Sequence, residues 1–282
     1  MLREIEASKI TEAVKKLVMD ANYFIGDDVA KAIEGALKTE TSPTAKEILT
    51  MILENHKISR EEQLPLCQDT GVAVFFIELG QEVHIVGGEF EDAINEGVKQ
   101  GYTEGYLRKS MVGDPIIERK NTGDNTPAAI HLRIVPGDKI HIIAAPKGGG
   151  SENMSEVRMM KAADGIEGVM DFVVERVRIS GGNPCPPVVV GVGLGGNFEM
   201  SAILAKKSLI REFGERNPNP KFAEVEVELL KRINKLGIGP MGLGGRTTAL
   251  EVFIEYMPCH IASMPVAINI NCHAARHKEI TL

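Results

Sequence analysis

Three cysteines stand in three separate, loop-like contexts. Cys67 lies in Leu66-Cys67-Gln68-Asp69-Thr70-Gly71, Cys185 in Asn183-Pro184-Cys185-Pro186-Pro187, and Cys272 in Asn269-Ile270-Asn271-Cys272-His273. Soft thiolates select iron–sulfur clusters, zinc or copper(I) over hard cations. Three of them could hold three corners of a cubic iron–sulfur cluster and leave the fourth iron open to a substrate. Their separations of 118 and 87 residues match no short metal signature such as paired C-x-x-C. Spacing alone therefore favours buried structural thiols; the proline and glycine neighbours, which mark loops, strengthen the case for ligands. Cys259, next to His260, is a fourth candidate that could replace any of the three.

Other residues could do proton or anion chemistry. A carboxylate such as Asp69 near an imidazole such as His260 can orient it for proton transfer near neutral pH. His273 and His277 are spaced i, i+4, as on a helix face, but lack the acidic partner of a zinc-protease motif and read as a solvated or structural pair. Gly191-Val192-Gly193-Leu194-Gly195-Gly196 satisfies the dinucleotide pattern G-x-G-x-x-G, without a second strand ending in an acidic residue at the needed distance. The amides of Gly148-Gly149-Gly150 could bind an anion, or form a plain tight turn. Arg108 could grip a carboxylate with both arms of its guanidinium, or sit solvated at a helix end.

The elements that must position these groups follow from periodicity. Ile10, Ala13, Val14 and Leu17 open a helical region over residues 8–56, with Asp27 and Asp28 and then Ser42-Pro43 marking new helix starts. Residues 72–77 predict a strand, 89–106 a helix, and 128–145 a hairpin turning at Pro136-Gly137-Asp138. A helix is expected over 162–179 and a short strand at 188–190 that ends in the glycine pattern. Helices near 198–213 and 221–236 follow, the second with a competing strand-like alternation at Val225, Val227 and Leu229. A glycine loop at 237–245 and strands near 248–256 and 261–270 close the chain. The expected class is α+β, with a mixed, mostly antiparallel sheet and packed helices, as one domain over 1–282 or as two lobes, and without an internal repeat.

Composition sets the outer bounds. The chain has 282 residues, 43% hydrophobic and 25% charged, enough for a sizeable core. A net charge of −7 without a basic tract argues against nucleic acid. No apolar run reaches membrane-spanning length, and the charged start Met1-Leu2-Arg3-Glu4 lacks a signal core, so a cytoplasmic location is expected. Four cysteines are too few for a disulfide scaffold.

The motifs taken together resemble the iron–sulfur-dependent class I fumarate hydratases and the related L-tartrate dehydratases, in their N-terminal domain or alpha subunit. The resemblance spans nearly the whole chain. It is carried by Leu66 to Gly71, Arg119-Lys120-Asn121-Thr122-Gly123-Asp124-Asn125-Thr126-Pro127, Lys147-Gly148-Gly149-Gly150-Ser151-Glu152-Asn153, Gly237 to Gly245, and Cys259-His260 through Cys272-His273. It implies a [4Fe–4S] cluster on Cys67, Cys185 and Cys272, with Cys259 a bystander. It implies substrate contacts from Gln68, Asp69, Arg108 and the Gly149 amide, with Asn153 a weaker candidate, and proton transfer by Asp69 and His260. The implied reaction is reversible hydration of fumarate to (S)-malate, a step of the tricarboxylic acid cycle, or alternatively dehydration of L-tartrate. The family's complete site also draws a threonine base, a lysine and further arginines from a second domain. The sequence here does not supply it, so a separate beta subunit in an α2β2 assembly is expected.

Two other classes remain open from the residues: a nucleotide-binding oxidoreductase, resting on the glycine pattern, and a non-catalytic cluster protein. Tight dinucleotide binding would favour the first, and a cluster with all its irons held by protein the second.

Overall fold

A computed structural model describes residues 2–282. In chain order the elements are β1 (Arg3–Glu6), α1 (Ala7–Tyr23), α2 (Asp27–Thr39), α3 (Pro43–Glu62), β2 (Val74–Gly80), β3 (Val83–Val86), α4 (Phe90–Glu104), β4 (Ala129–Val135), β5 (Ile140–Ala144) and α5 (Gly149–Glu152). They continue as β6 (Glu156–Met160), α6 (Gly165–Ser180), β7 (Val188–Gly196), α7 (Phe198–Ser208), α8 (Pro220–Asn234), β8 (Ala249–Cys259), β9 (Met264–Asn271) and β10 (Lys278–Thr281). The class is α+β. The chain divides into two compact units.

The first unit comprises residues up to 25, 56–149 and 276–282. Its main sheet has the order β10-β5-β2-β4, with β2 antiparallel to β5 and parallel to β4. β2 is buried along most of its length, so it needs a neighbour on each side. Residues 128–145 are consequently not a hairpin. The Pro136-Gly137-Asp138 turn forms, but it carries the chain over the end of β2, and β5 pairs on β2's far side. Gly80 makes the crossing possible, because a Cβ there would lie 2.4 Å from the Gly137 carbonyl oxygen. The amides of Gly80 and Glu82 donate to Lys139 and Gly137, so the crossing turn is hydrogen-bonded. β1 pairs in parallel with β3.

α1 forms because Ile10, Val14, Leu17 and Ala21 recur on one face, and all four are buried. That side of α1 meets α4 closely enough that a Cβ on Gly97 would touch the Thr11 carbonyl at 2.7 Å, and one on Gly101 would lie 2.4 Å from Val18. The core is filled by Phe75, Ile77, Ile94, Val98, Tyr102, Ile140 and Ile142.

The second unit comprises residues 26–55 and 150–275. Its sheet, β6-β9-β7-β8, repeats the pattern of the first: a central strand, β7, is antiparallel to β9 and parallel to β8, and a further strand, β6, is antiparallel on β9. The repeat is one of topology, which the sequence had not suggested. Val190, Val192, Ile254, Ile268 and Ile270 join Val169, Val173, Leu229 and Ile233 of α6 and α8 in one core. The ambiguous segment at 221–236 is thus helix, with Asn219 capping it through Lys221 N–H. Ser42 likewise caps α3 through the Ala45 amide at 3.3 Å.

The opposite face of this sheet explains Gly191 and Gly193. Both lie inside β7, not in a loop, and a Cβ on either would approach a carbonyl of α7 (Ala205 or Ser201) to 2.1 or 2.0 Å. They let a helix lie directly on the strand. Among the described residues the sheet pairings number four antiparallel to three parallel, spread over three sheets.

Candidate functional site

In the first unit, Cys67 to Gly71 connects α3 to β2 through a tight run. Gly71 adopts φ +77°, and a Cβ there would lie 2.6 Å from the Lys147 carbonyl group. Its absence lets Val72 and Lys147 exchange both backbone hydrogen bonds, at 3.0 and 2.9 Å. That bridge sets the 147–149 loop beside Asp69. Asp69 Oδ2 accepts from the Gly149 amide at 2.7 Å, and Oδ1 accepts from the Gly71 amide at 3.1 Å. The Asp69 amide donates to Cys67 Sγ at 3.4 Å, and the Cys67 thiol faces Gln68 Oε1 at 3.3 Å. Gln68 is exposed and Cys67 half-buried.

Buried side chains hold the carbonyls of the run. The Tyr102 hydroxyl donates to Thr70 O and Gly71 O, at 2.9 and 3.0 Å. Burial, with the Asp69 charge adding to it and Arg276 opposing, pushes that phenol well above its ordinary pKa, so it stays a donor. Asn125 Nδ2 donates to Gly71 O at 3.1 Å while its Oδ1 accepts from Ser110 N at 2.7 Å. Arg276 Nη2 donates to Asp69 O at 2.7 Å. The Thr70 hydroxyl donates to Arg108 O at 3.0 Å, which fixes the backbone of Arg108 and leaves its side chain exposed. Tyr102, Asn125 and Arg276 were not singled out from sequence. Asn125 did lie in a quoted motif; Tyr102 read only as part of a helical pattern.

In the second unit, Cys185 takes φ +54°, in the left-handed region. Its amide donates to Gly182 O at 3.1 Å and its carbonyl accepts from His273 N at 3.3 Å, so Cys185 and the residue after Cys272 are tied by backbone. The 237–245 loop supports this turn: Met241 N donates to Pro186 O at 2.7 Å, and a Cβ on Gly242 would lie 2.6 Å from the Gly182 Cα. Buried Glu40 anchors the end of that loop through the Arg246 amide at 2.7 Å.

His260 sits in the exposed turn between β8 and β9, and its Nδ1 accepts from the Ala262 amide at 3.1 Å. In the neutral ring the proton is then on Nε2. Cys259 donates to Ser263 O at 3.3 Å within the same turn. Asn153 is exposed, and its neighbour Glu152 is bound by Lys206 and by Asn269 Nδ2. His273 and His277 do not share a helix face, because residues 272–277 are irregular and lead into β10. The dinucleotide pattern is likewise overturned: its first glycines are strand residues against a helix, with no phosphate loop.

The candidate cysteines are thiols, the ligand type that iron–sulfur clusters take. Among the described residues no three His, Cys, Asp or Glu side chains converge to hold one metal ion. A cubane spreads its thiolates over different irons, so its ligands need not converge in that way. None of the four cysteines is in a disulfide. The Asp69 amide donates to Cys67 Sγ, and Cys185 is locked in a turn of fixed shape.

A sequence model of the fumarate hydratase (fumerase) family matches residues 11–281. The chain belongs to the class I fumarate hydratase family. A protein of Methanocaldococcus jannaschii provisionally named L(+)-tartrate dehydratase subunit alpha is 46% identical over 95% of each chain. The L(+)-tartrate dehydratase alpha subunits of Escherichia coli K12 and Shigella sonnei are 33% identical over 95% of this chain and 89% of their own. Like other members of the fumarate hydratase family, this chain is a hydro-lyase component. No helix among the described residues is long and apolar enough to cross a membrane.

Proposed function

We propose that this chain is the cluster-bearing alpha subunit of a dicarboxylate hydro-lyase, with Cys67, Cys185 and Cys272 as ligands of a [4Fe–4S] cluster. The observation that carries the reading is the run from Cys67 to Asp69: a thiol whose sulfur accepts an amide hydrogen bond stands two residues from a carboxylate fixed by two further amides. Such a cluster, when bound, supplies an open iron that acts as a Lewis acid toward a leaving hydroxyl.

The protein's own groups divide the remaining work. Asp69, with its rotamer set by Gly71 and Gly149, faces the substrate and exchanges a proton with it together with His260. In its neutral form His260 donates through Nε2; acting as an acid requires the imidazolium and breaks the Ala262 bond. Gln68 and Arg108, both exposed and both anchored to the same run, bind carboxylate and hydroxyl oxygens. The Gly149 amide binds substrate only after leaving Asp69. The base that removes the carbon-bound proton comes from a beta subunit, a partner supported by the relatives' designation as alpha subunits.

The substrate reading best supported is L(+)-tartrate, the substrate in the relatives' names. Loss of water from tartrate gives an enol that tautomerises to oxaloacetate. Hydration of fumarate to malate is the second reading, favoured by the description of the family model. Anaerobic co-expression with the beta-type chain, followed by assays on L(+)-tartrate, malate, fumarate and a methylated dicarboxylate, tests both. Preferred turnover of tartrate supports the first reading, preferred turnover of fumarate moves the assignment to the second, and turnover of none sinks both.

A further inference from the structure

We infer that Arg276 is a positioning residue for Asp69, its guanidinium fixing the main chain from which the carboxylate reaches the Gly71 and Gly149 amides. The inference rests on the reading of Asp69 as a substrate-facing group.

An aspartate that serves two amides at once tolerates little movement of its own backbone. Upstream, the Leu66 amide is tied to Asn22 O at 2.9 Å. Downstream, Tyr102 takes the carbonyls of Thr70 and Gly71. Between these anchors stands the Asp69 carbonyl, and Arg276 Nη2 takes it at 2.7 Å.

The choice of arginine is costly. Only 4% of Arg276 is exposed, and taking a cation out of water carries a desolvation penalty. A hydroxyl does the same service for the next two carbonyls without that cost. Arg276 and Asp69 both act electrostatically on the Tyr102 hydroxyl, which places the cation and the carboxylate around one buried group. Arg276 thus secures Asp69 by a hydrogen bond to its main chain. A lysine would keep the charge and lose the planar fork.

Amide hydrogen exchange on the full chain, read residue by residue by NMR, tests this in R276K and R276M. The expected result is exchange of the Gly149 amide about tenfold faster in both variants, with the Ile77 amide in β2 unchanged. In the assembled enzyme R276K should lower kcat with little change in KM. An unchanged Gly149 amide overturns the inference. So does a uniform rise that includes Ile77, which would make Arg276 a general structural residue; R276K remains informative if R276M does not fold. A Gly149 response in a chain whose assembled form turns over no dicarboxylate leaves the positioning intact and removes the functional reading. Normal turnover in R276K with an unmoved Gly149 amide does the reverse.

Discussion

Asp69 Oδ2 lies 2.7 Å from the Gly149 amide nitrogen and accepts its hydrogen bond. The resemblance to class I fumarate hydratases had given that amide to the substrate; in the structure it serves the aspartate. Asp69→Asn would turn an NH2 group toward one of the two amide donors, at Gly71 or Gly149, and remove the proton-accepting oxygen. Turnover should fall by about 10²-fold or more while the cluster's visible absorbance persists. Steady-state kinetics alongside iron and sulfide analysis check this. Near-normal kcat in a cluster-loaded Asp69→Asn enzyme would remove Asp69 from the chemistry.

The four cysteines should separate cleanly. Cys67→Ser, Cys185→Ser and Cys272→Ser should each prevent assembly of the four-iron cluster, whereas Cys259→Ser, whose thiol is engaged with Ser263 O in a turn of its own, should retain it. Anaerobic reconstitution followed by absorbance and EPR reads the outcome. Loss of the cluster in Cys259→Ser alone would overturn the ligand assignment.

His56 makes the fold acid-sensitive. It is buried on α3, neither ring nitrogen has a hydrogen-bond partner among the described residues, and burial followed by the Arg60 charge lowers its pKa from 6.5 to about 4. The unfolded chain binds this proton more readily, so stability is full above about pH 6.5 and declines as pH falls toward about 4. The loss across that window is on the order of 3 kcal/mol. Urea unfolding as a function of pH should show a steeper decline for the natural chain than for His56→Leu. Parallel curves would contradict the buried neutral imidazole.

Gly193→Ala should destabilise the second unit without touching any ligand. The added methyl would meet the Ser201 carbonyl at 2.0 Å, forcing α7 off β7 at a cost of about 1–3 kcal/mol, and more if the helix cannot shift. Chemical denaturation gives the number. Dinucleotide titration of the natural chain should give no binding, because the glycines serve packing; tight binding would revive the oxidoreductase reading.

Much of this was legible in the sequence, and the failures share a cause. Helices such as α1, α4 and α6 announced themselves because their apolar periods are local, whereas α8 competed with the strand-like alternation of Val225, Val227 and Leu229. The order of strands did not announce itself. Nothing in residues 128–145 says that the mostly buried strand at 74–80 needs a neighbour on both sides and takes β5 from the hairpin. Gly191 and Gly193 looked like loop residues because a glycine needed for close approach of a helix reads like a glycine needed for a turn. β10 and β1 are four-residue edge strands, too short for a periodicity. The Cys67 to Asp69 run was visible because its chemistry is contiguous. Arg276 was not, since its partner lies 207 residues away and the contact is to a main-chain oxygen.

The central claim is an open iron on a cluster held by three cysteines of this chain. Mössbauer spectroscopy of the anaerobically assembled enzyme, with and without L(+)-tartrate or malate, tests it most directly. The expected result is one iron of the four whose signal shifts on adding the dicarboxylate, with the other three unchanged. A reconstituted enzyme with no four-iron cluster, or one whose four irons ignore both compounds, would contradict it.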